Sequence, residues 1–266
     1  MTDEMPNQQA VSFDVGSPQL SPHLRFHGLT PWWLKARALA VHFYTASGAV
    51  LAFLIVLAAI HGNAVLALWL ALAALVIDGT DGWLARRFRV SEMLPWFDGR
   101  RLDDIVDYLT YVFAPILLLW NTGHLVGLSG MILAAAPLLA SGYQFCRVDA
   151  KTDDHFFLGF PSYWNVIAFY AIIWNFSLLA VGIILAVCSI LVFIPIRYLY
   201  PSRTVAFRPV TLTLTGLWIV SYILLLMEMP HPYPVLIYCS LLYFVYYVGI
   251  SFYFTFRAMR LSLTTR

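Results

Sequence analysis

Asp78-Gly-Thr-Asp81-Gly82-Trp-Leu-Ala85-Arg86 is followed, after a twelve-residue spacer, by Gly99-Arg-Arg-Leu-Asp103-Asp-Ile-Val-Asp107, and this stretch holds half of the chain's fourteen acids. Its surroundings are apolar. Of 266 residues, 61% are hydrophobic and 11% charged, and the mean hydropathy is +0.77; soluble domains carry about 25% charged residues. A chain of this composition is a polytopic membrane protein. Carboxylates beside a bilayer are costly, so a cluster of them marks an ion or substrate site.

The expected fold is all-α, a transmembrane helical bundle. Apolar stretches of roughly 17 to 25 residues cross the hydrocarbon core as helices. Eight are present, at 38–60, 63–79, 103–120, 125–145, 162–177, 178–198, 210–228 and 234–256. Only the polar hint Asn175-Phe-Ser177 separates the fifth from the sixth. Pro115, Pro137 and Pro195 fall within spans and predict bends.

Lys and Arg accumulate in cytoplasmic loops. With the N-terminus cytoplasmic, all sixteen basic residues, from Arg25 and Lys35 to Arg260 and Arg266, fall on that side. Both termini and the acidic stretch are then cytoplasmic. Most of these arginines read as partners of anionic lipid headgroups, and no nucleic-acid partner is expected. Residues 1–30 read as a flexible cytoplasmic tail and 31–266 as one membrane domain. Trp32 and Trp33 beside Lys35 and Arg37 suggest an interfacial helix or turn. Cys146, Cys188 and Cys239 lack paired spacing and read as reduced packing residues. The histidines show no HxxxH or HExxH pairing, which argues against a histidine metal site.

If the second span continues as a helix past its membrane end, Asp78, Asp81, Gly82, Ala85 and Arg86 share one face. Gly99, Asp103 and Asp107 share another at the start of the third span. Two antiparallel helices so placed turn four carboxylates toward one another, with Gly82, Ala85 and Gly99 leaving room for a bulky ligand. Such a cluster needs cations. All-oxygen ligation favours Mg2+ or Mn2+, ions that serve phosphate chemistry, and Arg86 can pair with the same phosphates. Helix-end charge is the bland alternative. It covers Asp103 and Asp104, and it is preferred for Asp98 and Asp104, which point away from the shared faces; it does not cover Asp78 and Asp81 at the C-terminal end of a span. A metal-ion transporter is the rival from another class, but it predicts acids near the bilayer midplane.

The pattern D-x2-D-G-x2-A-R, spacer, G-x3-D-x3-D resembles the signature of the CDP-alcohol phosphatidyltransferase family, membrane enzymes that move a phosphatidyl group from CDP-diacylglycerol to an alcohol. The spacer is longer than in most members. Together with the extra spans, it looks like the bacterial branch that uses choline and forms phosphatidylcholine, which implies a bacterial inner membrane as its location. Val41-His-Phe-Tyr-Thr45-Ala-Ser47-Gly48, the stretch from Tyr143 to Asp154, and Ile194-Pro-Ile-Arg197-Tyr-Leu-Tyr-Pro201-Ser resemble that branch too.

The resemblance implies that Asp78, Asp81 and Asp103 ligate one or two Mn2+ or Mg2+ ions on the diphosphate of CDP-diacylglycerol. Asp107 completes the metal shell or acts as general base on the acceptor. Gly82, Ala85, Arg86 and Gly99 line the nucleotide site, with Thr45 and Ser47 as polar contacts that read equally as packing hydroxyls. Choline, a quaternary ammonium, is held by aromatic faces, and Tyr143, Tyr163 and Trp164 are candidates. Arg147 and Lys151 read as topology markers or as neutralising Asp149, Asp153 and Asp154, in preference to gripping phosphate. The implied assembly is a homodimer. The nearest alternative is a sister enzyme using serine, inositol or glycerol phosphate.

Overall fold

The computed structural model describes residues 31–264 except 153 and 202, so the expected tail at 1–30 and Asp153 lie outside the described residues. In chain order the elements are α1 (Trp32–Ile60), α2 (Ala64–Arg87), α3 (Val90–Met93), α4 (Gly99–Asp107), a π-helical segment (Tyr108–Phe113), α5 (Ala114–Asn121) and α6 (Gly127–Cys146). There follow β1 (Phe156–Leu158), α7 (Trp164–Ile173), α8 (Leu178–Leu191), β2 (Arg197–Leu199), α9 (Arg208–Met227) and α10 (Pro234–Thr264). Each of the eight apolar stretches contains helix. Five helices, α1, α2, α6, α9 and α10, are long and apolar enough to cross a membrane. Their outward faces carry apolar side chains such as Leu128, Leu139, Val235 and Val245, as in a multi-pass membrane protein.

The other three stretches are less regular. From Gly99 to Asn121 the backbone stays helical, but its middle turn widens into the π-helical segment. α7 and α8 have only 10 and 14 residues. Between them Asn175 takes a left-handed φ of 49°, and Ser177 accepts from the Ala180 N–H at 3.3 Å to start α8.

Three expectations change. The fold is not wholly α, because the sixth stretch leaves the helix at Leu191 and 197–199 pairs antiparallel with 156–158. Pro195 has no N–H to continue a helix. The turn between β1 and α7 requires glycine at 159: its φ is +84°, and a Cβ there would lie 2.1 Å from the Val192 carbonyl oxygen. Trp32 and Trp33 are not a separate interfacial element but the exposed first turn of a continuous α1, where Arg37 sits 5.5 Å over the Trp33 ring. Cys146 and Cys239 are exposed on their helices rather than packed inside.

The main core joins α1, α2, α5, α7, α9 and α10 through Ile55, Leu68, Leu118, Phe169 and Leu225. Phe169 stacks on Tyr222 with ring centroids 3.6 Å apart. α1 packs against both α2 and α4. Its contact with α4 is close, since a Cβ on Gly48 would lie 2.5 Å from Val106 Cγ1. α1 thus braces the two helices that carry the signature.

Candidate active site

Asn63 caps α2 by accepting from the Leu66 N–H at 3.0 Å, and the helix runs unbroken to Arg87. It therefore carries Asp78, Asp81, Gly82, Ala85 and Arg86 on one rod. α4 begins where the Asp98 Oδ1 accepts from the Arg101 N–H at 3.1 Å, so Asp98 is a cap, consistent with its position off the shared face. A Cβ on Gly99 would meet His42 Cε1 at 2.7 Å. Glycine there lets the start of α4 come against α1.

One carboxylate oxygen from each of Asp78, Asp103 and Asp107 lies within 4.8 Å of the others. Asp78 and Asp107 face each other across this small volume. Carboxylates gathered so closely need a proton or a cation among them. The three grouped ligand atoms are all carboxylate oxygens, and that set fits a hard divalent ion such as Mg2+ or Mn2+. Asp81 stands apart from the trio. It is 5% exposed, and its Oδ2 accepts from the Thr45 hydroxyl at 2.8 Å. Thr45 thus reaches the site through Asp81. Ser47 donates to the Tyr44 carbonyl at 2.6 Å, which is the packing role of the two open to it.

Tyr111 is a site residue that sequence reasoning misses. Its hydroxyl donates to Asp78 Oδ2 at 2.6 Å, across from α2 and within the π-helical segment. Widened turns of this kind recur at functional sites. Its position four residues after Asp107 is the one available signal.

Two polar cavities meet at the acids. One, of about 790 Å³, lies between α1, the end of α2 and the spacer, with Thr45, Ala85, Gly99, Trp96 and Phe97 in its wall. The long spacer therefore forms a side of the cavity rather than a free loop. The second, of about 500 Å³, is lined by Asp78, Lys151, His155 and Tyr200. Asp81, Gly82, Arg86, Arg100, Asp103 and Arg203 line both. A third cavity of about 500 Å³ is apolar and aromatic, and includes Tyr111, Tyr163, Tyr198, Tyr243 and Tyr247.

The loop cations divide. Arg147 pairs with Asp149, Nη2 to Oδ2 at 2.8 Å, and holds that carboxyl below its ordinary range. Arg197 pairs with Asp154 at 2.7 Å. Neutralisation describes both. Lys151 instead lines the second cavity, with its ammonium 3.8 Å from Asp104 Oδ1. Burial alone pulls that ammonium down, but Tyr200, Asp104, Asp103 and Asp107 outweigh it and leave it above the usual lysine value. It is a cation at neutral pH.

The sequence profile of the CDP-alcohol phosphatidyltransferases matches residues 42–195, more than half of the chain. The chain belongs to the CDP-alcohol phosphatidyltransferase family. Among its relatives, the phosphatidylcholine synthase of Legionella pneumophila is 38% identical over 226 residues, covering 82% of this chain and 89% of that protein. The phosphatidylcholine synthase of Pseudomonas aeruginosa is 37% identical over 217 residues, covering 81% and 91%. That of Legionella bozemanae is 41% identical over 199 residues, covering 72% and 92%.

In this phosphatidyltransferase the expected metal and nucleotide residues gather at one place, except Ser47. The three expected choline residues do not. Trp164 is fully buried and donates its indole N–H to Ser141 at 2.6 Å. Tyr143 is exposed and packs on Phe193, with ring centroids 5.0 Å apart. Tyr163 lines the aromatic cavity, its ring centroid 6.1 Å from that of Tyr111. Core, belt and ligand aromatics look alike in a sequence this rich in them.

Tyr111→Phe removes a hydrogen bond to a charged group, worth about 1.5–3 kcal/mol. At about 1.4 kcal/mol per decade, kcat/KM is expected to fall about 10- to 100-fold, checked by steady-state assay in detergent. A fall of less than threefold would refute a part for this hydroxyl in the site.

Proposed function

We propose that the protein is a divalent-metal-dependent phosphatidylcholine synthase, transferring the phosphatidyl group of CDP-diacylglycerol to choline and releasing CMP. The observation that carries it is the carboxylate trio of Asp78, Asp103 and Asp107, set between polar cavities and an aromatic one in a chain whose relatives are phosphatidylcholine synthases. Asp78, Asp103 and Asp107 hold the metal, Mn2+ or Mg2+, joined by Asp81 from the shared wall. When bound, the ion neutralises phosphoryl charge, which stabilises a CMP leaving group without a proton.

The chain's own residues do the rest. Arg86 pairs with phosphate oxygens, and Gly82, Ala85 and Gly99 let the nucleotide lie against the helices. Asp107 accepts the choline hydroxyl proton, for which the two oxygens must come within about 2.6–3.2 Å. The choline oxygen then bonds to the phosphorus carrying diacylglycerol as the bond to CMP breaks. The trimethylammonium group suits the aromatic cavity lined by Tyr111 and Tyr163, which the Tyr111 hydroxyl links to Asp78. Against an anionic acceptor, Arg86, Arg100, Lys151 and Arg203 share their cavity with the acids at the diphosphate site.

The membrane arrangement goes with this function. Counting the Gly99–Asn121 helix, α7 and α8 as spans gives eight, with both termini and the site on the cytoplasmic side of a bacterial inner membrane. Residues 31–266 then form one membrane domain, assembled as a homodimer.

The acceptor is tested by giving purified enzyme CDP-diacylglycerol and Mn2+ with choline, serine, inositol or glycerol phosphate in turn and identifying the lipid by mass spectrometry. Phosphatidylcholine from choline alone is expected. A product from another alcohol, or none from choline, overturns the proposal.

A further inference from the structure

Arg203 lies outside both the acidic signature and the residues matched by the family profile. It nevertheless lines both polar cavities, in company with Arg86, Asp81 and Asp103. The tertiary structure brings it there by a firm route. β2 is docked on α10, where the Arg197 N–H donates to Thr255 Oγ1 at 2.8 Å and Tyr247 donates to the Leu199 carbonyl at 2.9 Å. The turn after β2 closes through the Arg203 N–H to the Tyr200 carbonyl, 2.9 Å. Thr204, buried beside it, accepts from the Tyr200 N–H at 2.9 Å and donates to the His155 carbonyl at 2.6 Å. The Arg203 guanidinium leans over the Tyr200 ring at 5.9 Å.

Its electrostatic setting is incomplete. Arg203 and Arg86 bring two like charges to the walls of the same two cavities. Among the described residues neither arginine has an acid within ion-pairing distance, and Nε of Arg203 is buried with no hydrogen-bond partner. The nearby acids do not answer this need: three face one another, and Asp81 accepts from Thr45. An unpaired buried donor on a charged group is expensive to leave so. Two guanidiniums facing a common space are satisfied by an anion that takes several donors at once.

We propose that Arg203 and Arg86 are the two arms of a clamp for the diphosphate of a nucleoside diphosphate headgroup, one arm from the signature helix and the other from the turn after β2. Arg203 is then a binding residue for the donor substrate that the signature does not contain. Naming that headgroup as the CDP of CDP-diacylglycerol rests on the function proposed above; the need for an anion between the two arginines does not.

The test measures binding of CDP, CMP and cytidine to the purified full-length protein by calorimetry in detergent, with Mn2+ and again with EDTA. Arg203→Ala is expected to weaken CDP about 10- to 100-fold, CMP less, and cytidine not at all. Arg203→Lys keeps the charge but loses the fork and is expected to fall between Arg203→Ala and wild type. The KM for CDP-diacylglycerol should rise with the CDP dissociation constant, while that for choline stays within twofold. If Arg203→Ala does not fold, Arg203→Lys decides alone. Variants that bind CDP as wild type does, or that lose cytidine as strongly as CDP, overturn the clamp. Wild-type protein that binds CDP tightly but makes no lipid from choline would refute the acceptor and leave the clamp standing.

Discussion

Asp103→Asn is expected to lower kcat/KM for phosphatidyl transfer by at least about a thousandfold, because charge stabilisation by a bound divalent ion is worth several kcal/mol and each decade costs about 1.4. Asp103 contributes one of the three oxygens that lie within 4.8 Å of one another and also lines both polar cavities. Its loss should therefore raise the Mn2+ concentration for half-maximal activity as well as the KM for CDP-diacylglycerol. Stability is expected to move the other way. Without metal, three carboxylates crowd one small volume, and replacing one by an amide relieves their repulsion. The metal-free variant should melt at or above the wild-type temperature in EDTA, while wild type gains more from added Mn2+, since a ligand bound only to the folded state stabilises it. Activity within tenfold of wild type at saturating Mn2+ would sink the assignment, and so would equal stabilisation of both proteins by the metal.

Asp107→Asn separates the two roles open to that residue. An asparagine keeps a carbonyl oxygen near Asp78 but cannot take a proton. If its work as general base outweighs its part in holding the metal, kcat should fall about 10²- to 10⁴-fold with the KM for CDP-diacylglycerol and the Mn2+ requirement within about threefold of wild type. If it serves chiefly as a ligand, the Mn2+ requirement should climb and excess metal should restore much of kcat. Metal titrations at saturating CDP-diacylglycerol and choline distinguish these outcomes. Near-wild-type turnover at ordinary Mn2+ would remove Asp107 from both roles.

Much of the site is legible in the spacing of its residues. Asp78, Asp81, Gly82, Ala85 and Arg86 make one helical face, and Gly99, Asp103 and Asp107 make another; both faces form, and three of the four acids meet. The polar break at Asn175-Phe-Ser177 is legible for the same reason, being local. The pairing of Asp81 with Thr45 is not. It joins residues 36 apart in sequence, and nothing in the period of either helix selects that contact. The strand at 197–199 is hidden by its apolar context, since a short apolar run next to a helix reads as its continuation.

By itself the sequence determines the membrane-embedded, almost wholly helical character of the protein and the acidic faces that make its chemistry, because hydropathy and the 3.6-residue period belong to contiguous residues. Only the tertiary structure decides which distant segments complete the site. Tyr111 reaches Asp78 from the widened turn, the spacer walls a cavity, and Lys151 and Arg203 arrive on loops joined by β1 and β2. Those positions depend on the docking of β2 on α10 and on the Thr204–His155 bond, contacts between segments far apart in the chain that no local pattern encodes.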